Sequence, residues 1–203
     1  MDVLSPKPAM EKLSHATLYT LEHYARIRAD FRAKIMQHKN QRRLAVGPNA
    51  MLHFEDHLTM HYQIQEILRA ERIFEEDEIN QEIAAYNPLI PDGTNWKATF
   101  MLQYPDIDER REALANMANV EDRVWVKIAD LDYVWAVADE DLERSNDKKT
   151  SAVHFLRFEL TPEMIAAAKA GAPIGVGIEH PGYCHQVNPI PETIRKAIIV
   201  DLA

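Results

Sequence analysis

"RRLAVGPNAMLHFEDHLTMHYQIQEILRAER", residues 42–72, decides the fold. Its first part alternates: Ala50, Leu52 and Phe54 fall on one side, and Met51, His53 and Glu55 on the other. That is the period of a strand with one buried face. Gly47-Pro48-Asn49 interrupts the pattern, so two short strands pair around a turn. From His57 the period becomes helical, to about residue 73. A hairpin feeding an amphipathic helix sets the style of the chain.

Outward from this stretch the elements keep mixing. Residues 1–14 read as a loose leader with two prolines, and residues 15–203 as one domain. A long helix is expected over residues 16–38, then a second short helix from Glu76 to Tyr86 after the quoted one. "NPLIPDGTNW" reads as a loop and "KATFMLQY" as a strand. "DIDERREALANMANV" reads as a helix with acids in its first turn, which its dipole favours. "RVWVKIA", "DYVWAVA", "AVHFLRFEL" and "PIGVGIEH" read as strands, the third apolar on both faces and so central. "DEDLERSNDKKTS" (residues 139–151) reads as an exposed charged loop and "PGYCHQVNPIP" as a second loop. Thr161-Pro162 opens a helix that Gly171 closes, and "ETIRKAIIVDLA" ends the chain as a helix. With no regular βαβ alternation, the fold class is α+β: a mainly antiparallel sheet packed with helices, one of them long and N-terminal.

The 203 residues carry 23 Lys and Arg against 32 Asp and Glu, a net charge of −9, which disfavours nucleic acid and anionic membrane as partners. "KNQRR" (Lys39 to Arg43) is the only basic concentration and reads as a solvated helix end. No apolar run approaches the roughly 20 residues of a membrane span. No signal core precedes the domain, and Cys184 is the single cysteine, so a reducing cytoplasm is expected. The chain lacks G-x-x-x-x-G-K-S/T, G-x-G-x-x-G, G-x-S-x-G, H-E-x-x-H and C-x-x-C.

His57 and His61 share a helix face and are candidate ligands for a divalent metal, with His180 as a third. His53 belongs to the strand and points elsewhere. On the helix wheel, Met60, Ile64, Ile67 and Phe74 form an apolar stripe with Glu71 in its middle. On the first helix, Arg28 sits within the stripe of Leu21, Tyr24, Ala25, Phe31 and Ile35. Ionised groups on buried faces need partners, so Arg28 and Glu71 are expected to meet or to face a polar pocket. His154 and Arg157 occupy opposite faces of one strand, and "IEHPGYCH" gathers Glu179, His180, Tyr183, Cys184 and His185 at a strand end.

"YARIRADFR", "RRLAVGPN", "QIQEILRAERI", "AYNPLIPDG", "SAVHFLRFEL" and "IEHPGY" resemble, in that order, the blocks of the bacterial domain-of-unknown-function family numbered 3501. The resemblance runs from about Leu18 to the end. It implies Tyr24, Arg28, Arg43, Glu66, Arg69, Glu71, Arg72, Asn87, Arg157 and His180 as pattern positions, and does not require histidine at 57, 61 or 154. It also implies a setting beside a rubrerythrin and an iron–sulfur oxidoreductase, hence redox or peroxide stress.

Two functions follow as expectations. One is an accessory protein of that redox system, binding a partner or small ligand. The other is an enzyme, with or without a divalent metal, using Glu71, Glu66 and His180 as catalytic candidates and Arg28, Arg43, Arg72 and Arg157 to bind an anion. A third, blander reading is an oligomerisation module, with a homo-oligomer as the partner.

Overall fold

The computed structural model describes residues 11–140, 144 and 149–203. Helix α1 (Leu21–Asn40) starts later than expected, because Thr20 accepts a hydrogen bond from the His23 amide and caps it. It buries Tyr24, Phe31 and Ile35. Strands β1 (Arg43–Val46) and β2 (Ala50–Glu55) form the expected hairpin, with Leu44 opposite Leu52. Asp56 then caps α2 (His57–Glu71): its side chain accepts from the Thr59 amide while the Thr59 hydroxyl accepts from the Asp56 amide. Arg72, in the left-handed region at φ 57°, ends α2 before α3 (Glu76–Tyr86) begins. These three helices share two small cores, one around Met60, Ile64, Leu68 and Ile83, the other around Tyr24, Phe31, Ile35 and Tyr62.

Further along come β3 (Asn95–Leu102), α4 (Ile107–Asn116), β4 (Val124–Ile128), β5 (Val134–Trp135), β6 (Val137–Ala138) and β7 (Val153–Glu159). The chain ends with α5 (Pro162–Lys169), β8 (Ile174–His180), β9 (Tyr183–Val187) and α6 (Glu192–Ile198). The strands make two antiparallel sheets, ordered β1-β2-β3-β7-β6 and β5-β4-β8-β9. Leu52, Phe54, Trp96, Phe100 and Phe158 of the first sheet enter one buried cluster with Val124, Val126, Val176 and Ile178 of the second. The α+β class, the antiparallel pairing and the long N-terminal helix therefore hold. β7 lies inside its sheet, between β3 and β6.

Three details correct the expectations. "DYVWAVA" is not one strand: Val134–Trp135 pairs with β4, and Val137–Ala138 pairs with β7, so the segment passes from one sheet to the other. "PGYCHQVNPIP" is not all loop, since Tyr183–Val187 pairs with β8 as an edge strand. Its Tyr183 hydroxyl donates to the Val46 carbonyl and accepts from the amides of Asn49 and Ala50, fastening the β1–β2 turn. Finally, residues 1–10 of the proposed leader lie outside the described residues, but residues 11–14 are not loose. Leu13 is buried, and its backbone amide and carbonyl are both bonded by the Asn87 side chain.

No helix among the described residues is long and apolar enough to cross a membrane.

Candidate functional site

The alternation in β2 has a consequence on the other side of the first sheet. Ala50, Leu52 and Phe54 fill the core, so His53 and Glu55 face the helices. Between the helices and this outer face run two cavities of about 270 Å³ each. Tyr86, Leu89 and Phe155 line both, which makes them compartments of one cleft. One compartment holds Lys97, Glu140, Arg144 and Arg157; the other holds Lys39, His53, Glu55, Gln63 and Thr99.

The basic compartment is organised by ion pairs around one cation that lacks them. Arg157 grips Glu140 through two hydrogen bonds, Nε to Oε2 and Nη2 to Oε1, both 2.8 Å, and reaches Glu159 at 2.6 Å. That guanidinium holds the Glu140 carboxyl below its ordinary range. Arg144 stacks over Phe155 at 4.7 Å and donates to Asp139 Oδ1 at 3.2 Å. Lys97 is half-buried and has no hydrogen bond or ion pair among the described residues. Burial pushes its ammonium down from the usual value, neighbouring Arg157 pushes it the same way, and the charges of Glu140 and Asp92 only partly oppose them. A cation held in this state gains by meeting an anion.

The second compartment has a buried carboxylate in its wall. Glu55 is only 5% exposed; its Oε1 accepts from Thr99 at 2.7 Å, while Oε2 has no partner among the described residues. Burial lowers the His53 pKa, which favours the neutral imidazole. Glu55 and Lys97 are cross-strand partners in the β2–β3 ladder, yet they form no ion pair.

On the core side of β7, opposite Phe155, sits a separate polar group. Glu121, Asp139 and His154 bring ligand-type atoms within 4.8 Å of one another. His154 is fully buried; its Nδ1 lies 2.6 Å from Asp139 Oδ2, and its Nε2 lies 2.8 Å from Thr150 Oγ1 and 3.0 Å from the Ser151 carbonyl. Thr150 donates to Glu121 at 2.9 Å, and Asp139 Oδ1 also takes the Phe155 amide. His154 is thus a hydrogen-bonded core histidine, on the face of the strand opposite Arg157. Residues 141–143 and 145–148 of the expected charged loop lie outside the described residues.

The sequence-derived candidates do not converge. Arg28 meets Glu66 rather than Glu71: Nε to Oε1 is 2.7 Å, Nη2 to Oε2 is 2.6 Å, and the Tyr24 hydroxyl adds a third bond at 2.6 Å. That guanidinium lowers the Glu66 pKa. Glu71 is exposed because α2 ends there, and Phe74, which extended the predicted stripe, lies beyond the helix and is 67% exposed. Arg72 and Arg43 are exposed as well. His180 closes the β8–β9 turn, its Nδ1 accepting from the Gly182 amide and its Nε2 donating to the Ala118 carbonyl. His57 and His61 meet edge to face with ring centroids 6.3 Å apart, and neither joins His180 in a convergent ligand group among the described residues. Only Arg157, of all these, lines the cleft.

Sequence reasoning passed over Lys97, Glu55 and Arg42. Arg42 is 1% exposed, bonds the carbonyls of Phe54 and Ala197, and pairs with Asp201; its Nη1 lies 3.4 Å from Asp56, which His38 touches at 2.6 Å. The parity of Leu44 and Val46 points Arg42 inward, a signal that was present in the strand pattern.

Residues 12–202 match the model of the family described as "Protein of unknown function (DUF3501)". A crystal structure described as a novel protein of unknown function from Burkholderia pseudomallei K96243 is 45% identical, with a TM-score of 0.90. The match covers 95% of this chain and 100% of that one. No curated protein matches the chain.

Proposed function

The chain belongs to the DUF3501 family, and from that premise we propose that it is an accessory protein that binds a small organic anion in the cleft. Its setting is a rubrerythrin-linked redox or peroxide-protection system, which rests on what the family resemblance implies. The observation that carries the anion is Lys97: a half-buried ammonium without an ion-pair partner among the described residues, in a compartment whose other cations are already paired. Desolvated cations favour anionic ligands strongly, since the ligand restores what burial removed.

Thermal unfolding with carboxylates from acetate to glutarate, and with inorganic phosphate, tests the ligand. A ligand at ten times its Kd adds about 1.4 kcal/mol, or about 3–5 °C for a chain of this size. Lys97→Met should remove that shift. An unchanged melting temperature across the series refutes the anion reading. For the setting, crosslinked co-purification from the native host should recover a rubrerythrin or iron–sulfur oxidoreductase; recovery of the lone protein counts against it.

His53 favours a second reading, an enzyme acting on the same anion. A neutral imidazole that lines the cleft beside a buried carboxylate can act as a general base. His53→Gln would then abolish turnover while leaving ligand-induced stabilisation in place.

A further inference from the structure

We propose that the ligand carries an amine as well as an anionic group, and that Glu55 is the residue that recognises the amine. This rests on the cleft being an anion site, and adds the chemistry at its far end.

The observation is an imbalance within Glu55. Its carboxylate is 5% exposed and lines the second compartment, yet it receives a single bond, from Thr99, and its Oε2 has no partner among the described residues. A buried carboxylate oxygen without a donor is costly, and structures rarely retain one without reason. Lys97 is the cross-strand partner but points to the other compartment, and Lys39, which shares the compartment, lies over the Tyr62 ring at 5.9 Å and forms no ion pair with Glu55. The sheet therefore keeps two opposite charges side by side in sequence register and leaves both unpaired.

A purely anionic molecule complements Lys97 and leaves Glu55 as it is. A purely cationic one does the reverse. A molecule with a carboxylate at one end and an ammonium at the other satisfies both, and the shared apolar walls of Tyr86, Leu89 and Phe155 suit the carbon chain between them. The ammonium would pair with the Glu55 carboxylate once that group turns its shielded Oε2 towards the compartment; His53 beside it is neutral, and Lys39 is the cation that shares the compartment. The ligand class is that of the small amino acids whose two charged ends are separated by a short aliphatic chain.

The test compares probes of matched length by calorimetric titration: 5-aminovalerate, valerate and pentylamine, with the four- and six-carbon sets alongside. In at least one set the amino acid should bind about tenfold or more tighter than either single-ended probe. Glu55→Gln, which still accepts from Thr99 but presents an amide in place of Oε2, should bring the amino acid down to the level of the carboxylate. It should leave carboxylate binding within twofold of the original. Lys97→Met should weaken every carboxylate-bearing probe. Equal binding of amino acids and carboxylates to the unmodified protein overturns this inference alone. Failure of every carboxylate to bind overturns it together with the anion site on which it rests.

Discussion

Asp201 gives the account its sharpest stability prediction. One guanidinium, Arg42, faces two buried carboxylates, and it cannot neutralise both. Asp56 keeps the charge: despite the cost of its burial, hydrogen bonding from His38 and the proximity of Arg42 hold its pKa below the usual range. Asp201 takes the consequence, and burial pushes its carboxyl up to about 7 from an ordinary 3.8. Between those two values the folded chain holds a proton that the unfolded chain has released, so stability falls as pH rises from about 4 to about 7. A rise from 3.8 to about 7, at about 1.4 kcal/mol per pH unit, gives a loss of about 4 kcal/mol. The contribution of Asp56 is lost only below about pH 4, outside this window. Asp201→Asn cannot titrate, so urea unfolding from pH 4 to 8 should show a flatter profile for the variant. The two proteins should match near pH 4, with the variant ahead by a few kcal/mol at pH 8. If Arg42–Asp201 were instead a net-stabilising ion pair, the variant would lose about 3–5 kcal/mol at pH 8, and the reasoning would fail.

Other perturbations separate the true contacts from the expected ones. Glu66→Gln should cost about 1 kcal/mol in urea unfolding, since it loosens a two-bond grip on Arg28 that is partly solvated. Glu71→Gln, at an exposed helix end, should stay within about 0.5 kcal/mol of the unmodified protein. Gly47→Ala should destabilise by more than about 1 kcal/mol, because φ is +78° and an added Cβ would lie 2.6 Å from the His185 ring. Tyr183→Phe strips the hydroxyl from three backbone groups and should cost about 1–3 kcal/mol, with faster amide exchange at Asn49 and Ala50.

Local pattern was legible in the chain, and long-range pairing was not. The alternation of β2 placed Leu52 and Phe54 inside and His53 and Glu55 opposite, which is how the structure has them. What alternation alone leaves open is that the opposite face is a cleft roofed by helices rather than solvent. The helical wheel of α2 misled because it was drawn past Arg72, whose left-handed backbone ends the helix; Glu66, more than a turn earlier, is the residue that reaches Arg28. β9 was missed because prolines flank it on both sides, although Tyr183–Val187 itself contains none. Arg42 could have been found from strand parity, but Asp201, 159 residues away, could not. Lys97 carried no sequence signal: it sits in an alternating strand like many solvated lysines, and its isolation comes from residues on other elements.

The location of the ligand is the central claim, and nuclear magnetic resonance reads it directly. Titration of labelled protein with 5-aminovalerate should shift amides along one continuous path, from Phe155 and Lys97 past Tyr86 to Thr99 and Glu55. Shifts confined to the Arg28–Glu66 pair or to the His180 turn would contradict the account.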